Sequence, residues 1–247
     1  MDIENSKDKG AFLALLLPVR SVVFLLLFLI GAALVGKELA DISNWWSVAA
    51  TVVNLLTVGL IVLAAKKAGL SYIDLTNFRR GGRDIKKTVL LVLGFMAAGM
   101  GGMYLSGLIL YGAVMPEVSL DIVAPIPAVL AVVNFILLPA TVSFAEDGLY
   151  LGCGVNHIKN RYAALAVPAF FYALQHCFIP TLFDGRYMLY RFLSFLPLTV
   201  IFCVFYQKKR DPLAIMISHA LLDMATASMI LMTSVVPGLY DRWRAAL

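Results

Sequence analysis

The sequence predicts an all-α fold, a polytopic transmembrane bundle of about seven to eight spans, on three observations. Of its 247 residues 61% are hydrophobic and only 14% charged, with a mean hydropathy of +0.88, too little polar surface to clothe a water-soluble globule. Apolar runs recur at about the 20-residue length that a helix needs to cross a bilayer. The lysines and arginines behind the net charge of +5 gather in short segments between those runs, the distribution that the positive-inside rule describes. A basic balance of this kind sets topology, and nucleic acid is not expected as a partner.

Taken in order, the spans are expected near 11–35, 47–65, 88–113, 127–153, 163–183, 188–206 and 213–235. The first run is too long for a removable signal peptide and lacks a small-residue cleavage site. It also contains Pro18 and Arg20, which allow a short interfacial helix over 11–17 and a span from Ser21, with Arg20 snorkelling to the headgroups. Trp45, Trp46 and Trp243 stand at span ends, as interfacial aromatics do. Gly94, Gly99, Gly101, Gly102 and Gly107 in the third run read as positions of close helix packing.

Orientation follows from charge. Lys66, Lys67, Arg79, Arg80, Arg83, Lys86 and Lys87 occupy one loop, Lys159 and Arg161 another, and Lys208, Lys209 and Arg210 a third. Seven spans put all three on one side, expected to be cytoplasmic together with the N-terminus, in the plasma membrane. The tail 240–247 then lies outside. Cys153, Cys177 and Cys203 all sit in or beside apolar runs, with no disulfide framework or zinc-ribbon spacing. The loops are too short for a second domain, so residues 1–247 form a single domain.

Ionisable groups at membrane depth are costly and need a partner or a task. Well inside the spans they are Glu146 and Asp147 in the fourth, His176 in the fifth, and His219 and Asp223 in the seventh. Tyr172 shares a helix face with His176 four residues on, as His219 does with Asp223. Glu146, His176 and His219 lie at compatible depths and are expected to line one cavity open to the cytoplasm. The neighbours Glu146 and Asp147 point about 100° apart, so one is catalytic and the other structural. Four residues beyond Asp147 stands Leu151 where a cation would pair, so its partner must come from another helix. No His-Glu-x-x-His, Gly-x-Ser-x-Gly or Gly-x-Gly-Asp motif is present. A Glu and two His fit general-base activation of a water with an imidazole opposite the oxyanion. The same three, Glu146, His176 and His219, are also zinc-ligand types, and sequence leaves both chemistries open.

The acidic stretch Glu146-Asp147-Gly148-Leu149-Tyr150-Leu151-Gly152, then Tyr172-Ala173-Leu174-Gln175-His176, then His219-Ala220-Leu221-Leu222-Asp223 resembles the three motifs of the CPBP intramembrane proteases. That group includes the CAAX-processing type II endopeptidases and the bacterial Abi-domain proteins linked to bacteriocin self-immunity. The resemblance runs over about 127–227. It implies that Glu146 activates water with His176, that His219 and Asp223 form the oxyanion side, and that Asp147, Tyr150 and Tyr172 support them. It departs at Asp147, where the usual motif has a second Glu, and at Leu151, where it has Arg. It implies an endopeptidase acting on a peptide or lipidated protein near the cytoplasmic face, with no required cofactor and zinc as the alternative. The other readings are a non-catalytic relative that binds a peptide, a bacteriocin or a partner protein, and a proton-coupled transporter. The sequence does not reveal an oligomeric state.

Overall fold

A chain this apolar must satisfy its backbone N–H and C=O groups internally, which hydrogen-bonded helices do. In the computed structural model, which describes residues 11–78 and 82–247, the described residues are helical apart from turns and connectors, with a single antiparallel bridge, Phe178 to Thr181. The N-terminal segment 1–10, and Arg79 and Arg80 of the basic loop, lie outside the described residues. The bundle consists of α1 (Val19–Val35), α2 (Trp46–Lys67), α3 (Ile85–Tyr111), α4 (Ala128–Asp147), α5 (Ala163–Leu174), α6 (Gly185–Lys209) and α7 (Leu213–Val235). A 3-10 helix at Ala11–Leu16 precedes α1, broken from it near Pro18. The helix α4 packs mainly on α7 and α2, and α6 on α3 and α5.

Among the described residues six segments, rather than seven or eight, are long and apolar enough to cross a membrane: Ala11–Val35, Leu39–Lys67, Ile85–Tyr111, Ala128–Val155, Gly185–Lys209 and Leu213–Val235. The expected fifth span, 163–183, falls short. Its α5 has 12 residues, about 18 Å of helix, and closes in a 3-10 turn at Gln175–Cys177. Pro180 lacks an N–H and disfavours helical geometry at Ile179, so 178–184 continue as a non-helical connector that is still apolar enough to read as part of a span.

That connector nevertheless carries the chain from one end of the bundle to the other. At one end Gln207 Nε2 donates to the Arg161 carbonyl at 2.9 Å, and Arg83 pairs with Asp211 through contacts of 2.8 and 3.0 Å. All three basic segments therefore share this end. At the other, Arg186 Nε donates to the Leu110 carbonyl at 2.8 Å, and Arg244 meets Glu117 at 3.0 Å. The C-terminal helix Leu239–Ala245 packs there on the 3-10 helix Glu117–Val123. Trp46 is not an interfacial aromatic: it is buried, its Nε1 donating to the Ile122 carbonyl at 2.9 Å, while Trp45 stays exposed. The three cysteines are free and buried.

Of the glycines in α3, three are packing positions. A Cβ at Gly102 would stand 2.5 Å from the Ser194 carbonyl of α6, one at Gly107 2.6 Å from the Ala113 carbonyl, and one at Gly99 3.1 Å from Leu198. Gly94 and Gly101 face open space. Gly102→Ala should therefore destabilise the bundle by about 1–3 kcal/mol, since rigid backbone must move. Gly101→Ala should be neutral or stabilising by about 0.5–1 kcal/mol. Thermal unfolding of the two variants in detergent checks the contrast.

Candidate active site

The site is built where α4 changes pitch. After Asp147 the helix continues over Gly148–Val155 in π geometry, whose hydrogen bonds close i→i+5 rather than i→i+4. Close neighbours require small residues here: a Cβ at Gly148 would lie 2.6 Å from the Tyr72 hydroxyl and one at Gly154 2.8 Å from Pro168. Because the turn is wider, residue 151 does not lie one α-helical turn below Asp147. Leu151 is instead buried in the apolar cluster of the basic end with Leu149, Tyr150 and Phe202.

Glu146 is buried and both its oxygens are taken. Oε1 accepts from Arg20 Nη2 at 2.8 Å and Oε2 from Gln175 Nε2 at 2.6 Å. Arg20 Nε in turn donates to Gln175 Oε1 at 2.6 Å, and its Nη1 to Thr57 Oγ1 at 3.1 Å. The three side chains close a ring. Arg20 does not snorkel: it is 0% exposed, with its guanidinium over the Phe24 ring at 5.5 Å. A desolvated guanidinium needs a carboxylate and full hydrogen bonding, and both are inside the bundle. The available signal was an arginine inside an apolar run with no acid within four residues. For Gln175, a polar residue beside His176 was the only one.

Among the described residues no lysine or arginine pairs with Asp147. Its Oδ1 accepts from the Tyr172 hydroxyl at 2.7 Å and lies 3.5 Å from His219 Nδ1, and its Oδ2 is buried without a partner. The Tyr172 hydroxyl is also 2.8 Å from His219 Nδ1. Having given its proton to Asp147, this oxygen can only accept, so His219 Nδ1 carries the hydrogen. His219 Nε2 then faces the other two acids, 3.3 Å from Asp223 Oδ2 and 3.7 Å from Glu146 Oε2. Tyr150 makes no hydrogen bond through its hydroxyl. It stacks on Tyr172 at 4.4 Å and so holds the ring that orients His219.

His176 ends α5. Its Nδ1 is 2.9 Å from the Tyr172 carbonyl, an acceptor, so Nδ1 carries the hydrogen and Nε2 is left with a lone pair. The ring stacks on Phe195 at 3.5 Å. Thus Glu146, His176, His219 and Asp223 line one cavity of about 630 Å³. It does not open at the basic end as expected. Beneath it lies the buried cluster of Leu149, Tyr150, Tyr172, Phe202 and Ile215. Its lining runs the other way, through Met103, Met115, Ser119 and Leu120 to Trp243 and Leu247, and Met115 and Leu247 are exposed. Among the described residues, no group of three or more His, Cys, Asp or Glu is disposed to hold a metal ion.

Residues 128–225 match the family described as type II CAAX prenyl endopeptidase, Rce1-like. The chain carries a domain of this CAAX endopeptidase family. No curated protein and no solved structure matches the chain. The CAAX endopeptidase domain so delimited holds Glu146, Asp147, Tyr150, Tyr172, His176, His219 and Asp223. Arg20 and Thr57 lie outside it, on α1 and α2. The cation absent at position 151 is thus supplied by a different helix, and it meets Glu146 rather than Asp147.

Removing one partner of a buried ion pair leaves the other charge uncompensated. Arg20→Met should cost about 3–5 kcal/mol of stability, and adding Glu146→Leu should recover most of it. Denaturation of the single and double variants checks the pairing.

Proposed function

We propose that this membrane protein is an intramembrane endopeptidase in which Glu146 and His176 activate a water. The observation that carries the reading is the convergence on one cavity of Glu146, His176 and His219 from three helices. Oε2 of Glu146 keeps lone-pair capacity beyond its bond to Gln175, and His176 Nε2 is free, so the two accept the water's proton as its oxygen bonds to the peptide carbonyl carbon. With Nδ1 already carrying a hydrogen, His219 donates from Nε2 to the developing oxyanion as the imidazolium, held among the carboxylates of Glu146, Asp147 and Asp223, with Asp223 orienting Nε2 and the Asp147–Tyr172 pair holding Nδ1. The C–N bond then breaks, and the proton taken from water passes to the leaving amine. This scheme needs no metal.

Basic residues place the closed floor of the cavity toward the cytoplasm. Its mouth then faces the bilayer and the outer surface, and a peptide or lipidated protein segment reaches the site from there rather than from the cytoplasmic face. The reading of a non-catalytic, peptide-binding relative is favoured by one observation, the engagement of both Glu146 oxygens by Arg20 and Gln175.

Glu146→Gln and His219→Ala should each lower peptide cleavage by the purified protein about 100-fold or more, and unchanged activity in both overturns the peptidase reading in favour of binding. Metal analysis of the same preparation should find no stoichiometric zinc; one zinc per chain, lost in His176→Ala, would replace the metal-free scheme. For the mouth, Met115→Cys should react with a membrane-impermeant maleimide in intact cells, over a background kept low by the buried native thiols. Labelling confined to inverted vesicles reverses the orientation.

A further inference from the structure

A second cavity, of about 450 Å³, lies at the end of the bundle opposite the basic loops and takes no part in the proposed chemistry. It is built where two membrane-crossing helices stop: α3 ends at Tyr111 and α6 begins at Gly185. Tyr111 and Arg186 line it together with Val118 and Asp121 of the 3-10 helix Glu117–Val123 and Leu182 and Phe183 of the connector. Span ends are the level at which side chains meet lipid headgroups. Phe183 is 59% exposed there, an apolar ring at the rim.

The cavity carries opposed charges. The Arg186 guanidinium stands over the Tyr111 ring at 4.3 Å and donates through Nε and Nη2 to the Leu110 carbonyl. Among the described residues its Nη1 makes no hydrogen bond. Asp121 is half-buried and, among the described residues, makes no hydrogen bond and no ion pair. Burial raises its carboxyl above the ordinary range, and Arg244, whose charge opposes that rise, is engaged with Glu117. Asp184 also lines the cavity; its Oδ1 accepts from the Tyr187 N–H at 2.6 Å and its Oδ2 is left over. Tyr187, in the same wall, is only 2% exposed, and its hydroxyl has no hydrogen-bond partner among the described residues. A buried hydroxyl in the wall of a charged cavity needs a group to bond.

We propose that this cavity seats the headgroup of a zwitterionic phospholipid, an ethanolamine phosphodiester, with Arg186 meeting the phosphate and Asp121 and Asp184 the ammonium. Guanidinium N–H groups make strong, charge-assisted bonds to phosphate oxygens. An ammonium brings three N–H donors, which suit two carboxylates and the Tyr187 hydroxyl oxygen, and the Phe183 ring offers a face to the same cation. An anionic headgroup would set a second negative charge beside Asp121, and a plain ammonium would face Arg186. A ligand bearing both charges satisfies both. Val118 and Leu182 supply apolar wall for the carbons that join headgroup to acyl chain. The assignment does not depend on the peptidase reading.

The probes are dihexanoyl phosphatidylethanolamine and dihexanoyl phosphatidylglycerol, titrated separately into the full-length protein in maltoside detergent, with bound lipid counted by native mass spectrometry. The two share acyl chains and phosphodiester and differ in the ammonium. The ethanolamine lipid should bind at least ~10-fold more tightly. That ratio should fall to near one in Asp121→Asn, whereas Arg186→Gln should weaken both lipids alike. Equal affinity of the two lipids for the unaltered protein overturns the proposal, whether or not any variant folds. So does a preference that survives in Asp121→Asn, or an Arg186→Gln protein that binds both lipids as before. Soluble glycerophosphoethanolamine, which has the headgroup without the acyl chains, should bind more weakly than the lipid; equal affinity makes the ligand a free solute and overturns the lipid assignment.

Discussion

The contact on which the rest depends is the buried ring of Arg20, Gln175 and Glu146. It joins α1, the end of α5 and α4, three elements that apolar packing alone would leave free to slide, since hydrocarbon gives no preference between one greasy surface and another. Each member satisfies the others' donors and acceptors where water cannot. The ring fixes the rotamer of Glu146 and thereby the face of the cavity at which that carboxylate stands. It also makes α1, outside the CAAX endopeptidase domain, part of the site's construction.

Two further features convert that anchor into a site with a direction. The π-helical stretch after Asp147, closely approached by Tyr72 and Pro168, packs its large residues into the floor. That floor closes the basic end, and the cavity extends to the opposite surface. Stacking then works as a positioning device: Tyr150 on Tyr172 and Phe195 on His176 hold rings whose polar edges meet the reacting groups, with no hydrogen bond spent on the outer face.

Much of the site was legible. The acidic pair, the two histidines and the two i,i+4 relations named residues that come together, but Glu146 and Asp147 separate only in part: Glu146 lines the cavity and Asp147 is bound to Tyr172, while both lie within 3.7 Å of the His219 ring. The argument from Leu151 was right that Asp147 finds its partner on another helix, Tyr172 of α5, but wrong about the register. It supposed that residues 147 and 151 share an α-helical face, and a π-helix breaks that register. Arg20 was read as topology, because a one-dimensional reading assigns every basic residue near a span end to the headgroups.

By itself the sequence determined that the chain is helical and membrane-embedded, that its basic loops share one end, and which side chains must justify being ionisable at depth. Those are matters of local composition and spacing, set by solvation along the chain. Only the tertiary structure decided that α5 stops short at the turn before Pro180, that the cation of the site arrives from α1, and that the cavity opens away from the basic loops. Each of these depends on which surfaces meet across the bundle, where a hydrogen bond between residues 126 positions apart leaves no periodicity in the sequence to find.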